Sequence, residues 1–347
     1  MDSLFNQAFS LETIFQSWSD FRRDKRGRRE IYTFERYLED HLFALHDQLH
    51  TSSYRHGPYR PFIVYDPKQR SISRASLKDR FVHHLVYKAL VPIFCPRFFF
   101  HSLSCQEGKG THLGIHLLNQ WLHQVSSNGT KPCFSLKMDI RRFFDSINHA
   151  LLKQLVRRQV TDQKLLRLID QIIDSFHLKV TSHGKVGLPL GNVTSQLFAN
   201  IYLHELDHFV KHTLKRKHYL RYCDDFIFLA NSKSELLSLI PLIQSFLRKK
   251  LFVELHPQKI ILRKLHQGID FLGVILFEHH KLLRTKTKRR MIRKLQKGLR
   301  EYQQGKKSLI SMDGRLQSYL GALRHANQHA FSEYLKNAFG VRPKKEL

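Results

Sequence analysis

An α+β fold with antiparallel strands is what the sequence predicts, and three observations carry that expectation. The first is an alternating segment, Phe134 to Arg141, in which Phe134, Leu136, Met138 and Ile140 interleave with Ser135, Lys137, Asp139 and Arg141. A strand there buries the first row and presents the second, with Asp139 on the open face. The second is Tyr219 to Leu229, two apolar runs flanking Asp224-Asp225, which reads as a hairpin with acids at its tip. The third is helical periodicity on both sides of these strands.

Taken in chain order, residues 1–50 read as helical, with an apolar period through Phe34, Leu38, Leu42 and Leu45. His56-Gly-Pro-Tyr-Arg-Pro61 breaks the pattern, Phe62 to Tyr65 is a short strand, Asp66-Pro67-Lys68 a turn, and Leu77 to Phe94 a helix. Gly187-Leu-Pro-Leu-Gly-Asn-Val-Thr194 is a tight turn before a helix whose stripe runs Leu197, Ile201, Leu206, Phe209, Val210 and Leu214. From Lys281 to Arg300 ten residues of twenty are Lys or Arg and none is acidic, while Met291, Ile292, Leu295 and Leu299 recur at helical spacing. That is a basic amphipathic helix suited to tracking phosphates. Neither internal repeat nor low-complexity tract is evident.

Charge narrows the function. The 347 residues carry 58 Lys+Arg against 29 Asp+Glu, a formal net charge of +29, which calls for a polyanionic partner. A hydrophobic content of 42% excludes intrinsic disorder. Cys95, Cys105, Cys133 and Cys223 form no C-x-x-C pair, which argues against a zinc ribbon or disulfide scaffold and for a reducing, cytoplasmic setting. No apolar stretch approaches the roughly 18 residues of a membrane span, so no membrane association is expected.

Against that basic background the acids stand out. Asp224 beside Asp225, with Asp139 aimed from another strand, concentrates negative charge that needs a cation. Hard oxygen ligands suit Mg2+, and paired ions serve in-line phosphoryl transfer. Here the sequence resembles a reverse transcriptase, over about residues 58–335. Asp139 with Phe143-Phe-Asp-Ser-Ile-Asn-His149 is similar to motif A of that family. Gly187 to Gly191 with Ser195 to Tyr202 resembles motif B, Tyr222-Cys-Asp-Asp225 motif C, and Gly268-Ile-Asp-Phe-Leu-Gly273 motif E. Tyr65 to Arg70 with Asp79-Arg80, and Ser104 to Gly110, look like the fingers blocks.

The resemblance implies a right-hand polymerase fold with fingers, an antiparallel-sheet palm and a helical thumb. Its expected division is an N-terminal helical extension over 1–60, fingers over 61–135, a palm over 136–275 with a fingers insertion at about 150–186, and a basic thumb over 276–347. It implies RNA-templated DNA synthesis with two Mg2+ ions, Mn2+ substituting, and deoxynucleoside triphosphate substrates. Asp139, Ile140, Asp224 and Asp225 would meet the metals, Asp225 less directly. Lys68 and Arg70 would meet the triphosphate, Arg74 competing with Arg70 for that place. Phe144 would lie under the sugar and exclude a 2'-hydroxyl, with Leu190, Gly191 and Gln196 along the nucleotide site. Lys259 falls at a motif D position, where it either protonates the leaving pyrophosphate or is simply solvated.

One departure refines the resemblance: Leu190 precedes Gly191 where retroviral and group II intron enzymes usually carry Gln, and Ser195 is followed by Gln196 rather than Pro. This is similar to reverse transcriptases of diversity-generating retroelements. That subfamily implies adenine-directed errors, a template RNA with its RNA-DNA hybrid, and an oligomeric accessory variability determinant as partner. Ser318 to Asn327 resembles its terminal block. A defence, retron or group II intron-derived lineage is the alternative within the enzymes, and a catalytically silent nucleic-acid scaffold the alternative outside them. Two further patterns compete. His204-Glu-Leu-Asp-His208 is a literal H-E-x-x-H, but it sits where the family reads Tyr-Leu-x-x-Leu-Asp, matched by Tyr202, Leu203, Leu206 and Asp207. Cys223 has no evident general base and reads as a packing residue.

Overall fold

In the computed structural model, residues 3–66, 68–324 and 326–340 are described. Pro67 of the expected turn, His325 of the terminal block, and the outermost residues of the expected N-terminal extension and thumb lie outside that set. The chain opens with helices α1 (Leu4–Ala8), α2 (Leu11–Arg22), α3 (Arg29–Glu35) and α4 (Leu38–His50). Strands β1 (Arg60–Val64) and β2 (Arg70–Arg74) then form an antiparallel hairpin exposed along β1. Helix α5 (Leu77–Phe94) starts at Ser76, whose Oγ accepts from the Asp79 amide at 3.1 Å. Such a cap contributes about 1 kcal/mol. Helix α6 (Thr111–Ser126) leads into β3 (Phe134–Asp139), followed by α7 (Phe143–Ser146), α8 (His149–Arg157) and α9 (Gln163–Asp174).

A small hairpin, β4 (Lys179–Thr181) and β5 (Gly184–Val186), precedes α10 (Val193–His208). The expected hairpin is β6 (Tyr219–Tyr222) and β7 (Asp225–Ala230), and α11 (Lys233–Leu251) follows. Strands β8 (Ile261–Lys264), β9 (Ile269–Phe271), β10 (Val274–Leu276) and β11 (Lys281–Leu283) come next, then helices α12 (Thr285–Gln303), α13 (Leu309–Leu323) and α14 (His329–Phe339). Antiparallel pairing orders the central sheet β6-β7-β3-β8, and β9, β10 and β11 make a separate meander. The α+β expectation with an antiparallel sheet is met.

Both faces of the central sheet are covered, which departs from the one-open-face reading of β3. Leu136, Met138, Phe226 and Phe228 join a core shared with α5, α8, α10 and α11. Ile227 and Leu229 join a second core with Trp121 of α6, Phe271 of β9 and Leu295 of α12. Ser135 is consequently buried, while Phe134, Lys137 and Asp139 stay partly accessible. Apolar cover on both sides is what a sheet clamped between helical layers requires.

Three local expectations change. Helix α10 is buried almost all round rather than along a stripe, and its regular turns give way to a wider π-turn at Phe209–Thr213. The basic helix begins at Thr285, because Lys281–Leu283 pair with β10 as a strand. Its covered face includes Gly298 with Met291 and Leu295. Asp225 belongs to β7, opposite Tyr222, so only Cys223 and Asp224 form the turn. No helix among the described residues is long and apolar enough to cross a membrane.

Candidate active site

Strand register brings the expected acids together. Asp139 ends β3 directly opposite Asp225 of β7. The two-residue turn before β7 places Cys223 at φ 56°, which swings Asp224 toward the end of β3, and the Ile140 amide donates to the Asp224 carbonyl at 3.2 Å. Ile140 itself is buried among apolar neighbours, so its side chain offers no metal ligand and only its main chain has donor or acceptor groups to give.

The electrostatics of this corner are those of crowded like charge. Burial, then the neighbouring Asp139, pushes the Asp224 carboxyl above its ordinary range. Burial is also the largest cause at Asp225, which Asp139 and Asp224 push further and the Lys137 ammonium opposes, leaving it at about 6. Two lysines supply the positive charge that the acids face. Lys259 Nζ donates to both carboxylate oxygens of Asp139 at 2.8 Å, and Lys137 Nζ lies 2.9 Å from Asp225 Oδ2. The other Asp225 oxygen, Oδ1, is buried without a hydrogen-bond partner.

Divalent metal fits this donor set. Two adjacent carboxylates with raised proton affinity, Asp224 and Asp225, and a buried oxygen lacking a donor are what a hard cation would satisfy. Among the described residues no three acid, imidazole or thiol side chains already close on one position. The three acids act on one another electrostatically, and two of them are held by lysines, Asp139 by Lys259 and Asp225 by Lys137.

A buried polar network behind the hairpin holds Asp224 in place. The Arg221 guanidinium has no exposed surface and forks onto Asp207 of α10, Nε to Oδ1 at 2.7 Å and Nη2 to Oδ2 at 2.6 Å. Its remaining donors reach Ser102 Oγ at 2.8 Å, Asn200 Oδ1 at 3.3 Å and the Cys223 carbonyl at 3.1 Å, within the turn itself. Tyr219 also donates to Asp207, and the Cys223 amide donates to Ser104 Oγ at 3.0 Å. With all five guanidinium donors matched, this pair escapes the penalty of an uncompensated buried charge. The sequence reading missed it, although an arginine inside an otherwise apolar strand was the available signal. Lys137 was likewise visible on the open row of β3 without being assigned a partner.

The loop before α10 ties the remaining expected residues together. Leu188 N donates to the Phe144 carbonyl at 2.8 Å, and Phe144, half-buried, leans on the Phe143 ring at 5.6 Å. The Leu190 carbonyl accepts from Ser73 of β2 at 3.1 Å. Gly191 has φ 109°, and a Cβ there would stand 2.7 Å from Ile72, so only glycine allows the loop to meet the β1–β2 hairpin this closely. Gln196 is exposed on the first turn of α10. Arg70 opens β2 and Lys68 is exposed just before it, both free of ion pairs, whereas Arg74 is held by Glu30 of α3. Among the described residues Arg70 and Lys68 thus stand without an ion pair, while Arg74 has one.

The competing patterns lose ground. In the H-E-x-x-H segment Asp207 serves Arg221, Glu205 pairs with Arg158, and His208 stacks on His212 at 4.3 Å. Burial, with the adjacent Asp224 charge, pushes the Cys223 thiol up to about 12, which suits packing and not nucleophilic attack.

Comparison with known proteins gives a family and several similar proteins. Residues 65–276 match the family described as Reverse transcriptase (RNA-dependent DNA polymerase), more than half of the chain. Protein YkfC of Escherichia coli K12 is 25% identical over 285 residues, covering 71% of this chain and 72% of that protein. The group II intron-encoded protein LtrA of Lactococcus lactis is 26% identical over 183 residues, covering 51% of this chain but only 29% of its own length. Among solved structures, telomerase from Candida albicans in complex with a fragment of telomeric RNA aligns with a TM-score of 0.49 at 11% identity, covering 88% of this chain and 60% of that one. With the acid pair, the hairpin turn and the palm-like sheet all inside the matched span, the chain belongs to the reverse transcriptase family of RNA-directed DNA polymerases.

Proposed function

We propose that this protein copies an RNA template into DNA, joining deoxynucleotides to a primer 3'-hydroxyl at the Asp139–Asp224 corner. The observation that carries this reading is the convergence of those two carboxylates, distant in sequence, where the end of β3 meets the turn between β6 and β7. Asp139 and Asp224 would hold Mg2+, or Mn2+ in its place, with Asp225 contributing once freed from Lys137 and Ile140 through its main chain. Bound there, the metal supplies Lewis acidity toward the attacking oxygen and neutralises charge on the leaving one. The primer 3'-oxygen forms a bond to the α-phosphorus as the bond to pyrophosphate breaks.

The chain's own groups do the rest. Lys68 and Arg70 grip the triphosphate, and Lys259 carries a proton on Nζ beside Asp139, positioned to pass it to pyrophosphate. Phe144 presents a ring beside the loop carrying Leu190 and Gly191 and excludes ribonucleotides. Gln196 faces the same opening from α10. The basic helix α12 follows the duplex backbone.

The narrower reading is a diversity-generating reverse transcriptase, cytoplasmic and aided by an oligomeric accessory protein, and Leu190 supports it. An apolar side chain near the nascent pair gives up a directional restraint, so mispairs opposite template adenine are rejected less. The group II intron name of LtrA favours the rival lineage. Primer extension on a primed RNA template tests the function. Wild type extends, and Asp224→Asn loses at least about a hundredfold of the rate. Equal extension by both would refute the assignment.

A further inference from the structure

A cavity of about 420 Å3 opens beside the catalytic strand, where the segment after β3, the β4–β5 hairpin and the turn after α11 meet. Arg141, Arg142, Lys179, His183 and Glu254 line it. No side-chain hydrogen bond or ion pair engages Arg141, Arg142 or Lys179, and Glu254 meets Arg141 only through the main chain, its carbonyl accepting at 2.8 Å. Some surface arginines are matched elsewhere, Arg157 with Asp170, Arg158 with Glu205 and Arg216 with Glu235. Three unmatched cations around one hollow repel each other and favour an anion between them.

The wall of the same cavity is aromatic. The His183 and Phe252 rings stack with centroids 4.6 Å apart and planes 23° from parallel, and Phe252 is 40% exposed. Phe252 caps α11 at φ 53°, a left-handed conformation normally left to glycine, and Arg142 has φ 44°. The ring is kept at this position against its backbone preference. Beneath it, the buried Asn148 anchors the β4–β5 hairpin by donating to the His183 carbonyl at 2.7 Å.

We infer that this cavity holds one nucleotide of a single-stranded nucleic acid, its phosphate among Arg141, Arg142 and Lys179 and its base on the Phe252–His183 stack. Phosphate recognition alone would leave the strained, exposed ring without a role, whereas every base offers a face to stack on such a platform. Arg141 lies two residues beyond Asp139, and the His256 amide donates to the Asp139 carbonyl at 2.8 Å, so the strand is held directly outside the catalytic corner. The inference rests on the polymerase reading only for the origin of that strand.

The test is binding of a fluorescein-labelled 12-nucleotide oligouridine to the full chain, by anisotropy, in EDTA, where polymerisation plays no part. Phe252→Gly relieves the left-handed strain while removing the ring, and it weakens binding by about fivefold or more. Lys179→Gln lowers the slope of log K against log salt by about 0.7 for the lost phosphate contact. With 5-iodouridine in the probe, cross-links fall on the peptide bearing residue 252. Affinity unchanged by Phe252→Gly overturns the proposal whatever the lysine variant does, as does displacement of the probe by pyrophosphate equally from wild type and Phe252→Gly. Primer extension scored separately on both variants keeps a failure here distinct from a failure of the polymerase reading.

Discussion

Two carboxylate–cation pairs flank the β6–β7 hairpin, and they are built on opposite terms. Arg221 and Asp207 are 0% and 1% exposed, joined through a planar fork and surrounded by matched donors. Lys259 and Asp139 are 40% and 14% exposed, joined by an ammonium that reaches both carboxylate oxygens from a short turn at Pro257–Lys259. An arginine locked on five sides has no competitor. A lysine is a point charge on a flexible stem, and another hard cation can take its place. The contrast separates structure from chemistry: the first pair fixes where the hairpin turn lies, and the second keeps the acids neutralised in a form that exchange can undo.

Breaking the locked pair has the largest expected effect on stability. Arg221→Met strands the Asp207 charge in the core and costs about 3–5 kcal/mol, read as a shift in urea midpoint. The paired replacement Arg221→Met with Asp207→Leu recovers much of that loss, because no buried charge is left alone. A single variant as stable as wild type would remove the distinction between the two pairs.

Removing the exchangeable cation acts on chemistry instead. Lys259→Ala lowers primer extension by about tenfold to a hundredfold through loss of a proton donor, yet binds Mn2+ more tightly, because a competitor for Asp139 is gone. Mn2+ titration followed by electron paramagnetic resonance checks the second half, and a weakened affinity contradicts it.

Acidity sharpens the same contrast. At Asp225 the folded state holds its proton to about 6 against an ordinary value of 3.8. Between those values the unfolded chain has released a proton that the folded chain retains, so this carboxyl lowers stability as pH rises through the window and adds no further change above it. A divalent ion needs the carboxylate ionised, so metal affinity falls as pH drops below about 6, and binding near pH 6 releases a proton. Calorimetry in buffers of different ionisation enthalpy reads that release.

The smallest expected effect concerns fidelity. Leu190→Gln restores a hydrogen-bonding side chain beside Gly191 and lowers misincorporation opposite template adenine by a few fold, about 1 kcal/mol of discrimination, read by sequencing the cDNA. An unchanged error spectrum would remove the support that Leu190 lends to the diversity-generating reading.

The period-two pattern of Phe134–Ile140 and the apolar runs around Asp224 were enough to find β3, β6 and β7, because strands this buried need alternating or continuous apolar residues. The juxtaposition of Asp139 with Asp224 was legible for the same reason. The second face of the sheet was not, since its cover comes from Trp121 and Phe271, remote in sequence and not predictable from local period. Strands β9 to β11 span three residues each, too short for any pattern to repeat. Arg221 was given no role because its partner Asp207 lies on a separate helix. The lysines were invisible as partners because pairing depends on register and on the path of the turn at Pro257–Lys259. The engagement of Arg74 with Glu30 was not legible because it crosses from β2 to an N-terminal helix.

Anomalous scattering from crystals soaked in Mn2+ tests the central claim most directly. The account predicts density between the Asp139 and Asp224 carboxylates with the Lys259 ammonium withdrawn from Asp139, and no such density in Asp224→Asn. Manganese bound elsewhere while Lys259 still bridges both oxygens of Asp139 would contradict it.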